Sequence, residues 1–413
     1  MARSEENQSS AISLALTVVT MAGMLVLATS AAQPVQAQTY TVLHRFNGSD
    51  GANPTSTLIV DRAGNVYGTT QYGGTHEQGI VFQMKRAGSG FIFNPIHEFH
   101  WNGSGGDGFY PLDNGGLTIA ADGSLYGTTE NGGILGCDGE STCGVVFRLQ
   151  PPPTACTSAL CPWRESIVYE FNPQSGPEFP ISNVVFDHAG NLYGTTEYSS
   201  VFELSPSGGS WIASDYNAGY TFTSGVVVDS AGNLYGATPY VDGHGIIYEL
   251  TPAPSGWTET VLYTFTNGSD GENPLGGLVF DSAGNLYGST SSGGSGTGGT
   301  LFELSPSGSG WTLQTLCSFA GFAPGSGPQS ALTMDAAGNL YGTTYGDGAF
   351  GDGMVFKATR SGNSWTCTDL FDFNGDLGLF PIGGVAVDAH GNIFGTASQT
   401  ESNRNGTVWE ITP

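Results

Sequence analysis

Apolar residues in this chain come in short runs, with neither helical periodicity nor strict alternation. Leu278-Val279-Phe280, Val184-Val185-Phe186 and Val226-Val227-Val228 are three such runs, and each leads straight into a polar turn. Runs of β-branched and aromatic residues bounded by turn residues predict short strands covered on both faces. After each run comes an Asp, then Ala-Gly-Asn or Asp-Gly, then Leu-Tyr-Gly-Thr-Thr or a close variant. Gly and Asn tolerate the positive φ of tight hairpins. The Asp is placed to accept backbone N–H groups of the turn. A Gly-rich loop follows, then a third apolar run such as Val81-Phe82, Val201-Phe202, Leu301-Phe302 or Val408-Trp409. A fourth run is often introduced by Trp, as at 257–265. Each period therefore predicts four short antiparallel strands.

The turn motif occurs seven times, at 61–68, 120–127, 187–194, 229–236, 281–288, 335–342 and 388–395. The second copy is degraded (AADGSLYG) and the last reads DAHGNIFG. Repetition at this period means a stacked or circular architecture. Seven four-stranded units predict an all-β, seven-bladed propeller. The ends agree: residues 40–46 read as a fourth strand with no unit before it, and the last repeat stops after its third strand at Pro413. Pairing 40–46 with 407–411 closes the last blade and removes the open edges that invite aggregation. Residues 38–413 are thus expected to form one domain.

The motifs DxAGNLYGTT and GxVFELxPxGxxW, with a Gly-rich loop between them, resemble the Gloeobacter/Verrucomicrobia-type (GloVer) tandem repeat over essentially all of residues 40–413. The resemblance implies an exported, surface or extracellular protein. It also implies a C-terminal sorting segment in many members. This chain ends at Pro413 with no hydrophobic tail, so anchoring through that end is not expected.

Composition narrows the partners. The net charge is −26 with only 10 Lys and Arg, which repels phosphate backbones and disfavours anionic lipid. Nucleic acid is therefore excluded as a partner, and a monomer is expected. Hydrophobic residues at 38%, with 23 Phe and 17 Tyr, support a large core. Residues 1–37 read as a secretory signal: Arg3, an apolar stretch over 11–28, then small residues at Val35-Gln36-Ala37 before a cut near Ala37. An uncleaved anchor is the other reading of so long a stretch. The mature chain carries no membrane span. Six cysteines suit an oxidising compartment. Cys137 with Cys143 and Cys156 with Cys161 are expected as local disulfides; zinc is the alternative, without CxxC spacing or a close His. Cys317 and Cys367 fall on separate strands and are expected as buried free thiols.

No GxSxG elbow, HExxH, Walker loop or dinucleotide fingerprint occurs. The repeated Asp and Tyr residues belong to the blade, as turn caps and blade-to-blade packing. Function is expected where blades differ, in the loops joining second to third strands and fourth strands to the next blade, which open on one face. The candidate ligand-binding residues there are Tyr72, His76, Asp107, Tyr110, Tyr240, His244 and Tyr345. Tyrosines in such loops can stack on sugar rings, and His76 and His244 are placed to approach each other across the face. Loop carboxylates make calcium a candidate ion, although no EF-hand spacing occurs. The expected function is a non-catalytic binding or scaffold propeller for a glycan or surface protein. The alternative is a propeller lyase or hydrolase acting on polysaccharide or lactone, calcium-assisted.

Overall fold

The computed structural model describes residues 38–413 apart from 102, 104–106, 112–115, 138–140, 154–161, 173–177, 198–199, 255, 309, 322–325 and 363. The expected signal at 1–37 and the expected Cys156–Cys161 bond lie outside the described residues.

Residues 39–412 form seven four-stranded antiparallel sheets, the blades of a propeller. Blade 1 spans 59–98, blade 2 118–170, blade 3 185–217, blade 4 227–264, blade 5 279–318 and blade 6 333–372. Blade 7 takes three strands from 386–412 and its fourth from Thr39–Arg45. That closing strand pairs Thr39 with Thr412 and Arg45 with Thr407, as the unmatched ends of the sequence required. A narrow axial cavity of about 150 Å³ is lined by residues from all seven blades, among them Thr57, Leu117, Asn183, Val226, Leu278, Ala331 and Ile382. The one helical turn among the described residues is Val241–Gly243. No helix among them is long and apolar enough to cross a membrane.

The repeat motif is explained residue by residue. In blade 5, Asp281 accepts the N–H groups of Ala283 (2.8 Å) and Asn285 (2.9 Å), the Asn285 side chain (2.8 Å) and the Tyr287 hydroxyl (3.2 Å). The tyrosine ring then packs on the Trp that opens the next blade's fourth strand: Tyr67 on Trp163, Tyr193 on Trp257, Tyr235 on Trp311, Tyr287 on Trp365. The glycine after it lies under the third-strand aromatic ring. A Cβ on Gly127 would sit 2.6 Å from Phe147, and one on Gly342 2.6 Å from Phe356. The following threonines tie blade to blade: Thr128 donates to the Ser182 carbonyl (2.7 Å), Thr195 to that of Ser224 (2.9 Å) and Thr343 to that of Gly383 (3.0 Å).

The outer strands meet at one recurrent joint. The residue opposite Val81, Val146, Val201, Ile247, Leu301, Val355 and Val408 on each fourth strand is His97, Tyr169, Tyr216, Tyr263, Cys317, Phe371 and His44. Five of them contact the register-equivalent residue of the next blade, and the other two share an apolar cluster with it. Phe371 stacks on Tyr40 at 3.9 Å and His44 on Phe93 at 3.8 Å. His97 meets Glu165 at 3.7 Å, and the Tyr216 hydroxyl donates to Glu259 at 2.9 Å. Tyr169 and Ala213 pack on one apolar cluster, and Tyr263 and Leu313 on another. Cys317 and Cys367 form a disulfide with 6.3 Å between Cα atoms. This corrects the expectation of buried free thiols. The two cysteines occupy partner positions of the joint between blades 5 and 6, and Cys367 is solvent-exposed rather than buried.

Candidate functional site

The two loop sets expected to share a face do so, because they are hydrogen-bonded to each other. Ala52 bridges Tyr72, Glu272 bridges Ser292, Leu379 bridges Gln399, and Phe109 pairs with Asn131. Five loops entering a blade present a residue in the left-handed region just before a proline: Asn53 (φ 57°), Tyr110 (58°), Phe179 (57°), Asn273 (56°) and Phe380 (53°). Their N–H groups bond the preceding blade's loop, as Tyr110 does to the Gln78 carbonyl (3.1 Å) and Phe380 to that of Asp352 (2.9 Å). Asn adopts this conformation cheaply, whereas an aromatic residue there is strained by roughly 1–2 kcal/mol. Phe179 is buried; Tyr110 and Phe380 remain half-exposed on the loop face.

The densest grouping on this face lies between blades 1 and 2. Tyr72, 42% exposed, meets Tyr110 edge to face at 5.2 Å. Phe109 lies 4.9 Å from Tyr110 and 5.6 Å from Trp101. His76 stacks on His100 at 3.8 Å, both exposed. The expected approach of His76 to His244 is not formed: His244 pairs with Glu272 at 2.9 Å on blades 4 and 5. Tyr240 is 66% exposed beside it, at φ 66°. Tyr345 stacks on Phe380 at 4.9 Å between blades 6 and 7. The seven candidate residues thus fall into three separate groups, of which only Tyr72, His76, Asp107 and Tyr110 belong to one neighbourhood.

Close to the aromatic group, Asp107 turns toward His97 and Glu165. His97 Nε2 lies 3.3 Å from Asp107 Oδ1 and 3.7 Å from Glu165 Oε1. The other Asp107 oxygen accepts the His100 N–H at 2.7 Å. Burial works against a charged His97, but Asp107, Glu165 and Glu98 outweigh it and hold its pKa above the ordinary value. Burial likewise opposes ionisation of Asp107, yet the hydrogen bond and charge of His97 keep it low. Burial, reinforced by the Asp107 carboxylate, pushes Glu165 up to about 7 despite His97. At the equivalent joint, His44 contacts Asp50 at 3.1 Å but stacks on Phe93, and there burial prevails and lowers its pKa. From sequence, calcium was considered for the loop carboxylates and zinc for the cysteines; His97 and Glu165 were not among the candidates. The signal that finds them is strand register, which places them where Cys317 and Cys367 stand.

The Gloeobacter/Verrucomicrobia repeat profile matches residues 32–198 and 222–413. No curated protein matches the chain in sequence. Among solved structures, a chain of a mitotic checkpoint complex is similar at 13% identity and TM-score 0.53, covering 94% of this chain and 98% of that one. PorZ of Porphyromonas gingivalis, a bacterial surface component of the type-IX secretion system, is similar at 12% identity and TM-score 0.53. That match covers 89% of this chain but only 48% of PorZ. At such identities the likeness is one of fold.

Proposed function

The chain belongs to the Gloeobacter/Verrucomicrobia repeat family, and on that footing we propose that it is an exported, non-catalytic binding propeller whose loop face takes a glycan at the junction of blades 1 and 2. The observation carrying this reading is the aromatic group of Tyr72, Trp101, Phe109 and Tyr110, set on two loops of a rigid frame that are joined where Trp101 and Tyr110 donate their N–H groups to Gln78. Tyr72 is exposed and the other three rings are half-buried, and such rings offer an apolar face to a pyranose at little entropic cost, with charged neighbours at the rim to fix orientation. The left-handed Tyr110, in a position that Asn53 and Asn273 fill without strain, supports a role for its side chain. In this reading residues 1–37 are the leader, cut near Ala37, and 38–413 are one domain. The Cys137–Cys143 and Cys317–Cys367 bonds suit an extracellular or periplasmic compartment. PorZ, itself a surface component, adds an analogy of fold and nothing more.

A glycan array followed by calorimetry on the purified full chain tests the proposal. A retained oligosaccharide is expected, and Tyr72→Ala with Tyr110→Ala is expected to weaken it roughly tenfold or more, since each lost ring contact is worth ~0.5–1.5 kcal/mol. No retained glycan, capture of a protein ligand in its place, unchanged affinity in the double variant, or turnover of the bound sugar would each overturn it.

A further inference from the structure

The geometry points to a divalent transition-metal site of the zinc class, formed by His97, Asp107 and Glu165 and tying blade 1 to blade 2. One nitrogen and two carboxylate oxygens converge with all three ligand atoms within 4.8 Å of one another. A tetrahedral ion with bonds near 2.0–2.1 Å holds its ligand atoms about 3.3 Å apart. The measured edges from His97 Nε2 are 3.3 Å to Asp107 and 3.7 Å to Glu165. Charge-assisted hydrogen bonds run nearer 2.7–2.9 Å, so these contacts are slack for direct pairing and suited to a shared ion.

Three further observations point the same way. One oxygen of Glu165, Oε1, is buried with no hydrogen-bond partner, while the Glu165 carboxyl lies against that of Asp107, so that two carboxyl groups crowd a single imidazole. The side chains are 15%, 16% and 21% exposed, so water compensates that imbalance only in part. Asp107 is oriented from behind by the His100 N–H, the kind of outer contact that fixes a metal ligand. Finally, the fold does not call for Glu165. Its register-equivalents are Phe93, Ala213, Glu259, Leu313, Cys367 and Tyr40, each paired directly across its joint or packed with its partner in one apolar cluster. Among the described residues, no other joint brings three such ligands together. The donor set selects the ion: imidazole with carboxylate suits zinc and its first-row neighbours, whereas calcium takes six to eight oxygens.

The test uses tag-free, chelator-treated full chain titrated with zinc chloride, with X-ray absorption of the loaded protein and no glycan present. One saturable site with nitrogen and oxygen ligands, and a zinc-dependent rise in melting temperature, are expected. Glu165→Ala copies Ala213 and His97→Phe copies Phe371, so both variants are expected to fold. Both should weaken zinc by more than roughly a hundredfold, beyond the 10–100-fold effect of an outer-shell partner. Absence of a saturable site in the wild-type chain, sulfur ligation, or wild-type affinity in either variant overturns the assignment.

Discussion

Breaking the Cys317–Cys367 bond removes the one covalent tie between blades among the described residues. The bond spans 50 residues, against six for Cys137–Cys143. Loop-closure entropy for 50 residues is close to 14 cal/mol/K, which makes the cross-link worth about 4 kcal/mol at 25 °C; the six-residue loop comes to about 2 kcal/mol. Cys317→Ala with Cys367→Ala should therefore lower the unfolding free energy by about 3–4 kcal/mol in guanidinium titrations read by tryptophan fluorescence. A second variant checks the reasoning about the joint itself. Cys317→Phe with Cys367→Tyr copies the Phe371–Tyr40 stack one blade on, and should recover roughly 1 kcal/mol over the alanine pair. Mass spectrometry of a native digest showing both cysteines alkylated would refute the pairing. Coincident unfolding curves for the wild-type chain and the alanine pair would refute the entropic argument.

Gly342→Ala forces a methyl to 2.6 Å from Phe356 and should cost about 1–3 kcal/mol, while Gly310→Ala, with nothing within 4 Å, should stay within ~0.5 kcal/mol in the same titration. Asp187, Asp281 and Asp335 titrate low in the fold, because bonds from Asn191, Asn285 and Asn339 overcome the effect of burial. Depressed carboxylates contribute stability that is present above the unfolded pKa near 3.9 and lost as pH falls through the folded value. Asp281→Asn should accordingly lower stability at pH 7 by ~1–2 kcal/mol and flatten its decline below pH 4, followed by thermal melts across pH 2–7. The aromatic double variant and the zinc titration complete the set.

The blade was legible because its determinants are local. Asp281, Asn285 and Tyr287 lie within one hairpin, so the turn motif carries its own explanation. Closure was legible because residues 39–45 have no other strand to pair with. The joints were not. Most fourth strands carry a bulge, as at Ile96 opposite Val81 and Phe82, but blade 3 does not. Tyr263 stands six residues after Trp257, yet its equivalent Tyr216 stands five after Trp211. Counting from the tryptophan therefore hides that Cys317, Tyr216 and His97 share one place. Their partners also lie on another sheet, beyond any pattern of spacing. The loop face was read correctly as a surface, but the grouping of its residues depends on which loops adjoin, as His76 with His100 shows.

The pairing of Thr39 with Thr412 also sets an order of assembly. The first strand made has no partner until the last is made, so ring closure has the longest sequence separation available and is expected to be the slow step. Until residues 407–412 emerge, six blades form an open arc with the flanks of blades 1 and 6 uncovered and exposed to other chains. Vectorial synthesis thus turns a rotationally repetitive fold into a directional one. Interruption late in the chain should yield an aggregation-prone arc and not a smaller propeller, because the closing strand carries residues for both of its joints: Tyr40 toward blade 6 and His44 toward blade 1.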